Sequence, residues 1–240
     1  MKAVRVNEYG GPEVLGYEEV EKPTPGSNEV LVKVAAAGVN YIDTYQRSGL
    51  YQIPLPTTLG LEAAGTVEEV GDSVSNYQIG DRVAYTSVAG AYAEYASVPE
   101  EKLVSLSDGV SFNEGAAAML QGCTAHYLCK STYTVKQGDS CLIHAAAGGV
   151  GLLLIQMVKN AGGFVIGTVS TEEKAELAKE AGADEVILYS KDDFEAEVSR
   201  ITAGDGVNVV YDSVGKSTFE KSINCLSRLG YMVLYGNASG

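Results

Sequence analysis

Groups that bind metals or cross-link a chain are scarce in this sequence. Its 240 residues include four cysteines and two histidines. The cysteines form no C-x-x-C pair, and no set of cysteines and histidines has the spacing of a zinc site. They also do not form a disulfide framework in a chain of this length. The sequence therefore predicts a protein of a reducing compartment that binds no metal.

Positive charge is also in short supply. Lysine and arginine number 17 against 31 aspartates and glutamates, a formal net charge of −14. This balance disfavours nonspecific binding to nucleic acid or to an anionic membrane surface. The longest apolar tract, 141–158, contains His144, Gln156 and three glycines, which favours a buried strand and helix over a membrane span. Residues 1–10 lack the apolar run of an export signal, so we expect a soluble, cytoplasmic protein.

The pattern of expected elements changes near residue 123. Before it, short β-type runs are separated by Gly, Pro, Asn and Asp, and a helix is expected over 111–130. The runs are 29–34, 65–70, 81–85 and 92–98. After it, apolar strands alternate with amphipathic helices, which is typical of a parallel sheet covered on both faces. We predict an α/β protein with a mostly antiparallel β domain over 1–123 and a doubly wound domain over 124–240.

The second domain is predicted to contain five strands and four helices. The strands are 140–146, 164–169, 185–189, 207–212 and 231–235, and the helices are 149–161, 171–181, 192–203 and 217–229. A dinucleotide-binding sheet has six strands in the order 3-2-1-4-5-6. We therefore expect this domain to lack its last strand.

Glycine is abundant, with 28 residues, and three glycines follow the first of these strands. Residues 145–151, Ala-Ala-Ala-Gly-Gly-Val-Gly, form an A-x-G-x-x-G version of the dinucleotide fingerprint between a strand and a helix. We expect Ala146 at the tight-turn position, Gly148 where the backbone approaches a pyrophosphate, and Gly151 where the helix packs on the strand. The helix N-terminus would supply N–H donors for the phosphates. A purely structural turn is the alternative.

The end of the second strand bears on the choice between NAD and NADP. No acid stands there to bind a ribose 2′-hydroxyl. Ser170 and Thr171 can donate hydrogen bonds and Lys174 can neutralise a 2′-phosphate, although two glutamates nearby add negative charge. The same segment also fits a capping box, with Ser170 at the N-cap and Glu173 at N3. We predict NADPH as the cofactor.

Several segments, taken together, are similar to one family. They are GGPEVL at 10–15, GVNYIDTY at 38–45, the glycine turn with its flanking strand and helix at 138–159, and VVYDSVG at 209–215. The chain resembles the zeta-crystallin-like quinone oxidoreductases, a zinc-free branch of the medium-chain dehydrogenase/reductase superfamily. The resemblance implies a GroES-like β domain, a Rossmann domain that binds NADPH, transfer of hydride to a quinone, and a homodimer.

The resemblance also implies the site residues. Those expected to bind the cofactor are Tyr41, Ile42, Asp43, Thr44, Tyr45, Tyr127, Gly148, Gly149, Val150, Gly151, Ser170, Thr171, Lys174, Tyr189 and Val214. Asn40, Tyr45 and Tyr51 would be catalytic residues lining the substrate pocket. Alternatively, Asn40 caps a helix with Asp43 at N3, and the two tyrosines are packing aromatics.

Zinc-dependent relatives place a cysteine and a histidine where this chain has Asn40 and Leu61. No metal is therefore expected, and Glu62 is expected to be structural. Without a metal, the acceptor should take hydride readily, as a quinone does because its product is aromatic. Reduction of an activated alkene such as an enone or acyl thioester is an alternative, and a non-catalytic NADPH-binding protein is another.

Relatives of this family continue beyond the position of Gly240, adding the sixth strand and completing the β domain. We therefore expect this chain to be a fragment or shortened product. Residues 231–235 would then form an apolar sheet edge, and the usual dimer contact would be affected. NADPH binding would be weak and activity low.

Overall fold

The first unit of the chain, Met1–Leu120, is built on antiparallel strands. The computed structural model describes residues 1–240, and the strands of this unit are β1 (Lys2–Val6), β2 (Leu15–Glu19), β3 (Glu29–Ala37), β4 (Thr57–Thr58), β5 (Glu62–Val70), β6 (Arg82–Thr86), β7 (Tyr95–Pro99) and β8 (Leu103–Ser105). Five of them form a sheet in the order β7-β3-β5-β6-β8, and the other three pair in the order β2-β1-β4. Alternating apolar residues on one face, including Val30, Val32, Val67 and Val83, make its core.

One short helix interrupts the strands of this unit. Helix α1 (Tyr41–Ser48) begins at the N-cap Asn40, whose backbone N–H donates to Asp43 Oδ2 at 2.8 Å. It ends at Gly49, which has a left-handed φ of 83°. The N-cap interpretation of Asn40, with Asp43 at N3, is therefore correct. A second helix, α2 (Phe112–Tyr127), runs from the first unit into the second.

The second unit, Gln121–Gly240, contains a parallel sheet. Its strands are β9 (Ser140–Ile143), β10 (Phe164–Val169), β11 (Glu185–Leu188), β12 (Val207–Asp212) and β13 (Leu226–Leu234). Their order is β11-β10-β9-β12-β13, which is the order 3-2-1-4-5 of a Rossmann sheet. The connecting helices are α3 (Gly149–Asn160), α4 (Glu172–Glu180), α5 (Phe194–Ile201) and α6 (Phe219–Asn224). The predicted parallel α/β architecture is confirmed.

The two faces of this sheet are covered by different helices. On one face Ile143 of β9 packs with Leu154 of α3 and Ala178 of α4. On the other face Leu142, the neighbouring residue of β9, packs with Phe194 and Val198 of α5. Successive strand residues point to opposite faces, so both must be apolar when both faces are covered. No helix of the protein has both the length and the apolar composition needed to span a bilayer.

The predicted boundary between the last helix and the last strand is wrong. The helix expected over 217–229 ends at Asn224, and β13 already begins at Leu226, which pairs with Val207. The pairing then shifts register, so that Tyr231 lies opposite Val209. Within the shifted stretch Leu229 has φ 66°, a left-handed conformation that cannot continue a helix.

Candidate functional site

The turn after β9 is shaped by one left-handed residue. Ala145 has φ 50°, and its carbonyl accepts a hydrogen bond of 2.8 Å from the Gly148 N–H. Ala146 instead donates its N–H to Thr168 O of β10 at 3.2 Å and is completely buried. Ala146 and Ala147 are the central residues of the turn that the Ala145–Gly148 bond closes, so Ala146 lies within the tight turn as predicted, while the left-handed residue is Ala145.

The N-terminus of α3 faces this turn. The first helical hydrogen bond runs from Leu152 N–H to Gly148 O at 2.9 Å. The N–H groups of Gly149, Val150 and Gly151 precede it and have no acceptor within the helix, which suits them to bind an anion. A Cβ on Gly151 would lie 2.5 Å from Ala145 O and 2.6 Å from Ala146 O. Only glycine allows the helix to approach the turn this closely.

Polar groups and a lysine gather at the end of β10. Lys174 Nζ donates to Ser170 Oγ at 3.2 Å, and Ser190 Oγ donates to Ser170 O at 2.9 Å. Glu172 forms a 2.6 Å ion pair with Lys191, so one of the two nearby glutamates is already neutralised. This corner therefore presents a hydroxyl and a cation.

The predicted capping box at this corner is wrong. Thr171 is the N-cap of α4, and its Oγ1 accepts from the backbone N–H of Lys174 at 3.3 Å. N3 is therefore Lys174 and not Glu173. The Ser170 hydroxyl, which was expected to cap the helix, is instead bonded to the Lys174 ammonium.

A cleft of about 410 Å³ opens at the carboxyl ends of the parallel strands. Its lining residues are His144, Ala145, Thr168, Tyr189, Asp192, Asp193, Phe194, Val214, Ser217, Thr218 and Lys221. Tyr189 is half exposed beside β10, and the Val214 N–H donates to Asp212 Oδ1 at 2.7 Å. Ligands of open α/β sheets bind in a crevice at this end of the strands.

A buried polar network lies beside this cleft. His144 Nδ1 is 2.8 Å from Thr168 Oγ1, and Nε2 is 2.9 Å from Ser222 Oγ, which in turn donates to Asp212 Oδ2 at 3.3 Å. This pattern fits a neutral imidazole protonated at Nε2, with the Thr168 hydroxyl donating to Nδ1. Burial lowers the pKa of His144 to about 4, and the nearby Asp212 opposes that effect.

The low pKa of His144 predicts a loss of stability in acid. The unfolded chain binds a proton near pH 6.5 while the folded chain resists it to about pH 4, so stability falls as the pH drops through this window. We expect a loss of about 2 kcal/mol between pH 8 and pH 5. Urea unfolding of the wild type and of His144→Gln should show a stability difference that shrinks by this amount in acid. A difference of equal size at both pH values would contradict the prediction, and His126→Gln, on the exposed side of α2, is the control.

Several of these residues were missed by sequence reasoning. His144 and Asp212 end or follow strands β9 and β12, and a polar residue at that point of a parallel strand is a recognisable signal. Phe194, Thr218, Lys221 and Ser222 carried no such signal, because only the packing of α5 and α6 brings them to the cleft or the network.

The remaining predicted site residues form a group in the first unit. The ring of Tyr45 lies 5.3 Å from that of Tyr41 and 5.1 Å from that of Tyr51. Tyr45 is buried, whereas Tyr41 and Tyr51 are exposed. Ile42 is half-buried, and the Thr44 hydroxyl donates to Tyr41 O at 2.7 Å.

Asn40 and its neighbours form the buried part of this group. Asn40 donates through Nδ2 to Glu62 Oε1 at 2.7 Å, and Asp43 accepts from the Tyr92 hydroxyl. Burial raises the pKa of both Asp43 and Glu62, and hydrogen bonds to each oppose the rise. Tyr127, the predicted site residue at the end of α2, is exposed in the second unit.

No three histidines, cysteines, aspartates or glutamates of the chain lie close enough together to hold a metal ion. All four cysteines are free thiols, of which Cys123 is exposed and the others are buried. The side-chain and backbone groups at the cleft, at the glycine turn and around Asn40 are N–H donors, hydroxyls, an amide, an imidazole, lysines, carboxylates and aromatic rings.

Comparison with known proteins gives matches along the whole chain. Residues 26–108 match the alcohol dehydrogenase GroES-like domain, and residues 149–240 match the zinc-binding dehydrogenase family. A quinone oxidoreductase of Pseudomonas aeruginosa is 50% identical over 241 residues, covering 100% of this chain and 74% of that protein. A 2-haloacrylate reductase of Burkholderia is 44% identical, covering 99% of this chain and 74% of that protein.

Among solved structures, the Escherichia coli quinone oxidoreductase complexed with NADPH superposes with a TM-score of 0.98 at 45% identity. The match covers 100% of this chain and 74% of that one. The chain thus spans about three quarters of the length of the relatives it matches.

Proposed function

Because this chain belongs to the quinone oxidoreductase family of medium-chain dehydrogenases, we propose that it reduces quinones with NADPH. One observation carries this proposal. The glycine turn at 145–151 keeps its N–H donors and close helix approach in a chain that is 45% identical, along its whole length, to a relative solved with NADPH. Gly151, where a Cβ would collide with two backbone carbonyls, keeps the start of α3 close to the turn and so holds these N–H groups in place.

The second unit has groups of the right chemistry for each part of NADPH. The N–H groups of Gly149, Val150 and Gly151 suit the pyrophosphate. The pair Lys174 and Ser170, joined at 3.2 Å, suits the 2′-phosphate. Tyr189 and Val214 line the 410 Å³ cleft, which suits the adenosine, and Gly148 and Thr171 are the N-caps of α3 and α4. When bound, NADPH supplies a hydride from its nicotinamide ring.

The first unit supplies the proposed substrate side. The ring surfaces of Tyr41, Tyr45 and Tyr51 offer an apolar wall that excludes water from a planar quinone. Asn40, whose amide bonds Glu62 and completes the capping box of α1, is assigned to the wall of the substrate pocket, following the family resemblance. We assign Ile42, Asp43, Thr44 and Tyr127 to the nicotinamide side, following the family resemblance. No side-chain acid is needed, because orientation of the reactants and exclusion of water suffice for hydride transfer to a quinone.

We further propose that the reaction is independent of zinc. Asn40 and Leu61 stand where zinc-dependent relatives place metal ligands, and the Asn40 amide is already bonded to Glu62. The homodimer, the cytoplasmic location and the domain boundary at residue 123 stay predictions. Sedimentation, cell fractionation and limited proteolysis would test them.

Reduction of an activated alkene is the second candidate function. It is favoured by the 44% identity to a 2-haloacrylate reductase, which is only slightly lower than the identity to the quinone oxidoreductases. The fold and the turn are equally compatible with either acceptor. The substrate must therefore be identified by turnover.

The test is NADPH oxidation by the purified chain with two panels of acceptors. We expect turnover with 1,4-benzoquinone and 9,10-phenanthrenequinone, and little with enones or 2-chloroacrylate. Faster turnover of the alkenes would replace the quinone by an alkene as substrate. Tight NADPH binding without turnover of either panel would instead indicate a non-catalytic protein.

A further inference from the structure

The segment 10–15, one of those that resemble the family, is bonded to the last turn of α1. The Gly10 N–H donates to Arg47 O at 3.0 Å, and Arg47 Nε donates to Gly10 O at 3.2 Å. Arg47 lies in the last turn of α1. Both backbone groups of Gly10 are therefore bonded to a single residue of that helix. The proposed function gives this segment no role.

Tyr9 extends from this segment to the loop that follows α1, residues 49–56. Its hydroxyl donates to Ile53 O at 2.7 Å and accepts from the Ile53 N–H at 3.0 Å. A phenol can donate and accept at the same time, so it satisfies both backbone groups of one residue. The Tyr9 ring also packs on Gly49, where a Cβ would lie 2.8 Å from Tyr9 Cγ. Tyr9 thus contacts this loop at its first residue and again at Ile53.

The loop carries Tyr51, one of the residues proposed to form the wall of the substrate pocket. Its N–H donates to Tyr45 O at 3.1 Å, and its ring lies 5.1 Å from that of Tyr45. Beyond Tyr51, residues 52–56 form no backbone–backbone hydrogen bond, and two of them are prolines, which have no N–H to donate. The two bonds between Tyr9 and Ile53 therefore restrain the loop shortly after Tyr51.

These contacts form a closed ring. It runs from α1 into the loop, from the loop to Tyr9, and from Gly10 back to Arg47 of α1. We propose that Tyr9 is a positioning residue, whose hydroxyl holds the loop so that Tyr51 stays against Tyr45 in the wall of the acceptor pocket. This rests on the proposed function, in which those rings face the acceptor.

The two bonds made by Tyr9 add little to the stability of the fold. Tyr9 is 39% exposed, and a hydrogen bond that water can replace contributes modestly to folding. Their effect on binding is more direct. Without them the loop must be ordered when the acceptor binds, and the cost of that ordering is subtracted from the free energy of binding. The loss should grow with the area of the rings that the acceptor covers.

The test is Tyr9→Phe, which removes the hydroxyl and keeps the ring that packs on Gly49. We expect the KM for 9,10-phenanthrenequinone to rise about fivefold or more, with a smaller rise for 1,4-benzoquinone, which covers less of the wall. The Kd of NADPH should not change, because the groups proposed to bind its phosphates lie in the second unit. Wild-type KM values for both quinones, or an equal rise in both, would overturn the proposal.

Tyr77→Phe is the matched control. The Tyr77 hydroxyl also donates to a backbone carbonyl of the same unit, that of Leu103 at 2.8 Å. The substitution removes a tyrosine hydroxyl bond without changing α1 or its loop, so it should keep the wild-type KM for both quinones. A rise in KM as large as that of Tyr9→Phe would show that a general loss of stability raises KM, and the proposal would be wrong.

Fluorescence gives a readout that needs no turnover. The chain has no tryptophan, so Tyr51→Trp places a single reporter in the loop. Adding Tyr9→Phe to this variant should lower the fluorescence anisotropy of the tryptophan and increase its quenching by acrylamide, whereas adding Tyr77→Phe should change neither. Unchanged anisotropy and quenching after Tyr9→Phe would contradict the proposal.

These measurements separate the proposal from the proposed function. If the wild type turns over no quinone, the proposed function fails, and the fluorescence still decides whether Tyr9 holds Tyr51 in place. If the tryptophan variant does not fold, hydrogen exchange at the Ile53 N–H replaces it. That exchange should be faster in Tyr9→Phe than in the wild type, and equal rates would overturn the proposal.

Discussion

Replacing Gly151 by alanine is expected to lower kcat/KM for NADPH by roughly 100-fold, because misplacement of a binding group by about 1 Å has an effect of that size. The new Cβ would lie 2.5 Å from Ala145 O and 2.6 Å from Ala146 O, and both are backbone atoms that cannot rotate away. The start of α3 must therefore move away from the turn. This displaces the N–H groups proposed to bind the pyrophosphate. Kinetics at varied NADPH and a fluorescence titration would measure the effect.

Gly122→Ala is the matched control for that substitution. Gly122 lies in α2, and a Cβ there meets nothing within 4 Å outside the helix's own nearby backbone. Alanine in a helix is more favourable than glycine by up to about 1 kcal/mol, so this variant should be as stable as the wild type or more so. If Gly151→Ala bound NADPH as the wild type does, the turn would not be the pyrophosphate site.

Replacing Lys174 by alanine is expected to weaken NADPH binding far more than NADH binding. Its ammonium lies 3.2 Å from Ser170 Oγ at the end of β10, where no acid stands to bind a 2′-hydroxyl. Loss of a hydrogen bond to a charged group typically costs about 1.5 to 3 kcal/mol, or roughly 10- to 150-fold in Kd. The measurement is a titration of both coenzymes into the wild type and the variant.

Lys179→Ala, in the last turn of the same helix, controls for the loss of one positive charge. It should leave the preference for NADPH unchanged. Equal weakening of NADPH and NADH in Lys174→Ala, or a wild-type preference for NADH, would show that Lys174 does not recognise a 2′-phosphate.

The parallel half of the fold could be predicted from local patterns. Strands β10 and β12 were predicted with the bounds that the structure has, because both are short apolar runs between turn residues. The first half was harder. Strands β1, β2, β4 and β8 were not predicted, and β4 has only two residues. Such strands depend on pairing with distant partners, as when Val6 lies opposite Thr57.

The candidate site also has one part that could be predicted from the sequence and one part that could not. The glycine turn and the corner at Ser170 and Lys174 were found because each is a contiguous segment whose residue types carry the chemistry. The network of His144, Thr168, Ser222 and Asp212 was not found, since His144 follows β9 and the other members come from β10, α6 and β12. The cap of α4 was misplaced by one residue, because serine and threonine both favour an N-cap and it is Thr171 that takes this position.

The sequence by itself therefore determined the strand-turn-helix at 140–160, the absence of an acid after β10 and the choice of apolar residues for both faces of the sheet. These features depend on residues that are close together in the sequence, so the spacing of residue types is enough to predict the local backbone geometry. Only the tertiary structure decided that Ala145 takes the left-handed conformation, and that Glu62 bonds both Asn40 and Leu120. Those contacts join residues far apart in sequence, and their hydrogen-bond geometry exists only once the elements have packed.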